Sequence, residues 1–319
     1  MGRYILRRLF IAVPTIIVIS FVVYAILALA PTDPLSQFGA DPRVPPEVRA
    51  NIRHSLGLDD PWPIRYVKWV SALARGDFGI SFMSHSSVMD LIQQRLPNTL
   101  AVVGVAYVIG VLLAIPIGMI SAVRRYSWFD HISTTFAFIG FSVPTFFTGI
   151  LLIIVFSIDL RWFPFIYDST LQIHDVESFL DQVKQSIMPI TVLALFDTAT
   201  IARYTRAEML EHLPLDYVRT ARSKGLMERV VVLRHVLRNS LIPVVTLVAL
   251  GVPAVFGGAI VTEQIFRVPG IGELLVRSIG DGDTPVVAAI LLIFAVLVVL
   301  FNLLADVLYA VLDPRIKYT

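Results

Sequence analysis

The apolar residues of this chain fall into six long, almost uncharged runs, and no other feature constrains its fold as much. The runs cover residues 9–30, 99–123, 132–158, 187–202, 241–262 and 285–312. About 20 apolar residues in a helix cross the roughly 30 Å hydrocarbon core of a bilayer. Composition points the same way. Of 319 residues, 56% are hydrophobic and 16% charged, against about 25% charged in an average soluble domain. The expected fold is an all-α membrane protein with six transmembrane helices.

The first run follows Arg3, Arg7 and Arg8 and ends in Ala28-Leu29-Ala30, which has the form of a signal-peptide cleavage site. A signal-peptide core is usually about 7–15 residues. This run is longer, so a retained first helix is expected. Pro116, Pro144, Pro189 and Pro253 lie inside or near the ends of runs. Neighbouring helices can satisfy the carbonyls they free, so kinks rather than breaks are expected.

Lys and Arg orient the bundle. With both termini cytoplasmic, 15 of the 26 lie inside and 11 outside, seven of the latter in one long loop. Long loops weigh little in the positive-inside rule. Counting Asp and Glu gives +7 inside and −5 outside, and the inverted topology would put the eight cations of residues 203–240 on the wrong face.

The chain divides into an N-terminal tail and first helix (1–30), an extracytoplasmic loop domain (31–98), a core (99–312) with a cytoplasmic loop at 203–240, and a tail (313–319). In the outer loop, Pro45-Pro46, Pro61-Trp62-Pro63 and Val88 each open a helical pattern. Gly57, Gly76 and Pro97 close them, the punctuation expected of short helices. Phe78–Phe82 reads as a short strand. Such a loop is either a cap over the bundle or a docking platform. In the inner loop, Pro214 begins a helix with Leu215, Val218 and Ala221 on one face. Lys224-Gly225 ends it with a cation and a left-handed cap. A second helical run covers residues 226–240. This unit is either a basic loop near anionic lipid or a part that fits a partner.

No active site is legible. The chain has no phosphate-binding glycine loop, no Gly-x-Ser-x-Gly elbow and no cysteine. None of its six histidines sits at metal-binding spacing from another. Polar groups inside the runs are costly in hydrocarbon. These are Asp197, and Asn302 with Asp306 one turn apart. Asp197 is open between a pore-facing position and a buried pair. Asn302 and Asp306 suggest either an interhelical clamp or part of a solute path. No metal site is expected.

Asp216-Tyr217-Val218-Arg219-Thr220-Ala221-Arg222-Ser223-Lys224-Gly225, followed by His235-x-Leu237-Arg238-Asn239-x-Leu241-Ile242-Pro243, resembles the cytoplasmic signature of ABC importer membrane subunits of the dipeptide/oligopeptide/nickel branch. The blocks Gly76–Ser81, Arg95–Leu100, Phe266–Gly272 and Asn302–Tyr309 with Leu312–Arg315 resemble the same family in the same order. The signature departs from the general one, with Arg219, Thr220 and Ala221 where Glu-Ala-Ala is usual.

The resemblance implies a type I importer permease fold in the bacterial inner membrane, forming half of a path for peptides or a related small solute. It implies a second homologous permease subunit, two ATPase subunits that bind the ATP and magnesium, and an extracytoplasmic solute-binding protein. No cofactor is implied in this chain, and nucleic acid is not a partner. Asp216, Tyr217, Arg219, Thr220, Ala221, Lys224 and Gly225 become the expected ATPase-coupling residues. The resemblance also favours a docking platform for 31–98. A membrane-embedded enzyme using Asp197 or Asp306, or a self-sufficient secondary transporter, are the competing readings. The first lacks a completing group at a convincing spacing, and the second lacks an internal repeat.

Overall fold

The computed structural model describes residues 2–29, 45, 47–48, 51, 54, 59–171, 174–257 and 259–312. The expected helix opened by Pro45-Pro46, Gly258 and the tail from residue 313 therefore lie outside, or almost outside, the described residues. Among the described residues the fold is helical, with one isolated bridge, Ile80 to Ser87, where a strand was expected at Phe78–Phe82. The helices are α1 (Gly2–Leu29), α2 (Trp62–Leu73), α3 (Val88–Thr99), α4 (Val105–Val123), α5 (Trp128–Ser142) and α6 (Thr145–Leu152). They continue as α7 (Val176–His212), α8 (Asp216–Ser223), α9 (Arg238–Gly257), α10 (Ile260–Phe266), α11 (Ile271–Gly280) and α12 (Thr284–Leu312).

Among the described residues, five helical segments are long and apolar enough to cross a bilayer, and the bent pair α5 and α6 makes a sixth if it is taken as one span. That pair corrects the continuous span expected at 132–158. Its halves meet at 102°. Val143 is extended, at φ −84° and ψ 123°, immediately before Pro144. A residue before proline is pushed out of helical geometry, so Pro144 breaks the helix. Pro116, Pro189 and Pro253 are carried inside helices.

Other expected boundaries shift. The helix expected to stop at Pro97 runs through it, and a π-helical stretch at Leu100–Gly104 joins α3 to α4. The fourth span grows from 187–202 to the whole of α7, about 55 Å at 1.5 Å per residue. The fifth starts earlier and α9 ends at Gly257, so residues 260–262 belong to the separate α10.

The centre of the bundle is the pair α4 and α7. Ala106, Gly110, Ala114, Gly118 and Ala122 recur every fourth residue on α4 and are all buried. A Cβ on Gly118 would stand 2.6 Å from the Ala202 carbonyl oxygen, and one on Gly110 would stand 2.7 Å from Asp197 Cβ. Small residues permit this approach, and close van der Waals packing is what holds helices together in lipid. α9 packs on α12, and α1 lies outside α12 with most of its apolar side chains exposed.

Candidate functional site: a coupling face at one end and a buried carboxylate at the other

α8 sits at the Ala122 end of α4. Asp216 starts it, two residues later than the expected Pro214, with Leu215 extended before it. Gly225 follows at φ +75°, and its N–H donates to the Arg222 carbonyl at 2.9 Å. This is the left-handed cap that the Lys224-Gly225 pair predicts. The second helical run begins at Glu228, passes through a π-helical stretch (Val231–Leu237) and continues directly into α9. Arg222 clasps Glu228 through two hydrogen bonds, at 3.1 and 2.6 Å, which close the turn around Gly225.

α8 is split between two environments. Val218 and Ala221 are buried in a cluster with Ala122, Met209, Val231, Val232 and Val236, so they tie α8 to the ends of α4 and α7 and to the π-helical stretch that leads into α9. Arg219, Thr220, Ser223, Lys224 and Gly225 face outward, and the side chain of Asp216 is 96% exposed. Two of the expected coupling residues do not point outward. Ala221 faces the bundle, and Tyr217 is half-buried with its hydroxyl 3.1 Å from His212 Nδ1. Leu215, expected on one face with Val218 and Ala221, is exposed, as is Met227 at 74%. The outward face is therefore cationic with apolar edges.

One feature near this end escaped the sequence reading. Arg206 on α7 grips Asp130 on α5 through Nε–Oδ1 at 2.6 Å and Nη2–Oδ2 at 2.9 Å. The Tyr126 N–H also donates to Asp130 at 2.9 Å. Asp130 is 2% exposed. The available signal was Ser127 three residues before an acid, an N-terminal helix pattern, and Ser127 does cap α5.

The polar groups inside the spans separate. Arg8 Nη1 lies 3.1 Å from Asp306 Oδ2, so Asp306 clamps α12 to α1. Asn302 does not share this clamp; it is exposed, and no hydrogen bond of its side chain occurs among the described residues. Asp197 lies where α7 meets Gly110 of α4, half-buried, and likewise has no hydrogen-bonded partner among the described residues. Nearby, Tyr107 donates to the Val248 carbonyl at 2.5 Å, tying α4 to α9.

At the opposite end a second unforeseen carboxylate organises the α10–α11 turn. Glu263 is fully buried. It accepts from the Thr99 hydroxyl and from the Glu273 N–H, each at 2.9 Å, and Thr99 in turn accepts from the Ile271 N–H at 2.8 Å. Glu263 thus caps the N-terminus of α11, where the helix dipole favours negative charge. Gly270 and Gly272 leave it room, since a Cβ on either would strike the carboxylate. Arg95 pairs with Glu273 at 3.2 Å, and a cleft of about 440 Å³ beside them is also lined by Arg267 and Arg277.

Burial pushes the Glu263 carboxyl above its ordinary 4.5, against the Glu273 N–H, the Thr99 hydroxyl and the Gly272 N–H, which lower it. The folded state therefore holds this proton more tightly than the unfolded chain. The associated stabilisation is complete below pH 4.5 and is lost as pH rises through the raised value. Thermal unfolding is expected to lose this contribution over that interval in wild type. The dependence should vanish in Glu263→Gln. Equal pH slopes for the two proteins would remove Glu263 as its source.

The profile for the binding-protein-dependent transport system inner membrane component matches residues 114–318, and that of the corresponding N-terminal component matches 1–103. This chain belongs to that family. The permease is 42% identical over 319 residues to the oligopeptide transport system permease protein AppB of Bacillus subtilis, covering all of both chains. It is 39% identical over 334 residues to the di/tripeptide transport system permease protein DppB of Pseudomonas aeruginosa, covering all of this chain and 99% of that one. It is 38% identical over 318 residues to the glutathione transport system permease protein GsiC of Escherichia coli, again covering both chains fully. The permease is thus a multi-pass inner-membrane transport subunit, and its all-helical fold is that of type I importer permeases.

Proposed function

We propose that this permease forms one membrane half of an ATP-driven importer for short peptides, and that α8 is the element an ATPase subunit grips. The observation that carries the second point is the division of α8. Val218 and Ala221 are sealed into the cluster that joins α4, α7 and the stretch leading into α9, while Arg219, Thr220 and Lys224 project from it. A force applied to the outward face reaches three spans through packed side chains, because close-packed cores transmit strain. The substrate class follows the relatives, whose names specify oligopeptides, di/tripeptides and glutathione, itself a short peptide.

In this reading both termini and α8 are cytoplasmic, a second permease subunit completes the path, and two ATPases carry the nucleotide and magnesium. The described part of 59–98 and the α10–α11 turn then face outward, where a solute-binding protein docks. The cleft beside Arg267 supplies cations for it. Asp197 and Asn302 are candidates for the solute path, and Asp306 for structural clamping alone.

Gly225→Pro tests the coupling role. Proline holds φ near −65° and has no N–H, so it cannot adopt the +75° cap or bond Arg222. The variant should insert and assemble, retain ATP hydrolysis by the complex and lose most peptide uptake. Uptake at the wild-type rate per ATP in a correctly inserted Gly225→Pro protein would remove α8 from the coupling path. Recovery of active uptake without any ATPase would overturn the whole reading.

A further inference from the structure

A groove of about 610 Å³ lies beside the α8 unit, between the end of α4, the start of α5 and the segment leading into α9. Its wall is apolar, with Met119, Val123, Phe129 and Leu233 among the lining, and Arg124 and Arg229 line it too. Glu228 also borders the groove, but its carboxylate is held by Arg222. Among the described residues, neither Arg124 nor Arg229 has an ion-pair partner. The groove therefore combines apolar surface with two cations that have no ion-pair partner among the described residues.

Its depth in the bilayer is marked by aromatic residues. Trp128 is 82% exposed and Tyr126 68%, both in the short link between α4 and α5 or at its end. Exposed Trp and Tyr at the ends of spans sit at the level of lipid headgroups. Arg125 is occupied differently, stacked 4.5 Å over the Tyr126 ring. The floor of the groove is shared with the core that holds α8, since Val232 belongs to that cluster and Met119 packs against it.

We propose that this groove binds an anionic phospholipid, with its phosphate held by Arg124 and Arg229 and its acyl chains against the apolar wall. Free phosphate would leave that wall in water, and a neutral lipid would leave the cations without extra counter-charge. An acidic diacyl lipid matches both halves of the site. Bound there, it braces the segment on which α8 rests.

The test uses the assembled transporter, extracted from its membrane and placed in nanodiscs of phosphatidylcholine with or without phosphatidylglycerol. Native mass spectrometry reads how much phosphatidylglycerol remains bound after release, and thermal unfolding in phosphatidylcholine alone checks folding. Wild type should retain phosphatidylglycerol selectively. The Arg124→Gln/Arg229→Gln double variant should retain it about thirtyfold less, as expected for losing two cations at an anionic surface. Arg125→Gln should behave as wild type, and Leu233→Asp should lose retention with both arginines in place. Soluble glycerol phosphate added to phosphatidylcholine discs should not compete, which separates a lipid from a free phosphate ligand. Equal retention by wild type and the double variant overturns the site. So does retention confined to the isolated chain, which would mean that a partner subunit covers the groove.

Discussion

Gly118→Leu should prevent the bundle from assembling. Even a single added carbon at this position meets the Ala202 carbonyl oxygen at 2.6 Å and Thr205 Cβ at 2.7 Å. The first of these is backbone, which cannot turn aside as a side chain can. Inserting one extra carbon in a packed core costs about 1–3 kcal/mol, the expectation for Gly118→Ala. Leucine adds three more carbons at the same contact, and the sum approaches the roughly 5–15 kcal/mol that holds an ordinary domain together. The helices then have to separate, and both α5 and α9 pack on α7. Gly280→Ala is the control, because nothing stands within 4 Å of its Cβ site and it should change stability by no more than about 1 kcal/mol. Size-exclusion profiles and melting curves in detergent read the difference. A Gly118→Leu protein that is monodisperse and melts with wild type would show that α4 and α7 do not meet this closely.

Asp130→Ala should be the most damaging polar substitution. It leaves the Arg206 guanidinium without its carboxylate and the Tyr126 N–H without its acceptor. Removing one partner of a buried ion pair costs about 3–5 kcal/mol, whereas replacing both partners is often nearly neutral. The Asp130→Asn/Arg206→Gln double variant should therefore recover much of the loss. The asparagine amide oxygen can still accept from the Tyr126 N–H, and neither member of the pair remains charged. The double-mutant cycle should show a coupling energy above about 1 kcal/mol. Strictly additive losses would mean the pair is formed without contributing. Because the clamp joins α5 to α7 near α8, loss of coupled transport should accompany the loss of stability.

What was legible follows from how local each cause is. The spans depend on runs of apolar residues, and the α8 cap depends on one glycine after one lysine. Both signals lie within a few positions of the structure they dictate. Pro144 was visible as well, but its consequence was not. Pro116 and Pro189 are the same residue type inside intact helices, so whether a proline kinks or breaks depends on what packs beside it. The small-residue stripe from Ala106 to Ala122 could have been read from its spacing of four; it was hidden within a run that is apolar throughout.

Pairings at long separation were not legible. Arg8 with Asp306, Asp130 with Arg206, and Thr99 with Glu263 are set by helix crossings. Each of these side chains reads, in one dimension, as an isolated polar group. Asp197 is the instructive contrast with Asp306, since it has no hydrogen-bonded partner among the described residues. That is why the proposal keeps Asp197 in the path and reads Asp306, paired with Arg8, as a clamp.

The sequence by itself determined that this chain spans a bilayer several times, which family it belongs to, and where a capped amphipathic helix interrupts its spans. Hydrophobic length, cation placement and cap chemistry are properties of short stretches of chain, and lipid enforces them directly. Only the tertiary structure decided which face of α8 is sealed and which is offered, how closely α4 approaches α7, and which carboxylates are spent on holding helices together. Those outcomes depend on the mutual placement of helices, and a hydrogen bond or a 2.6 Å approach exists only once that placement is made.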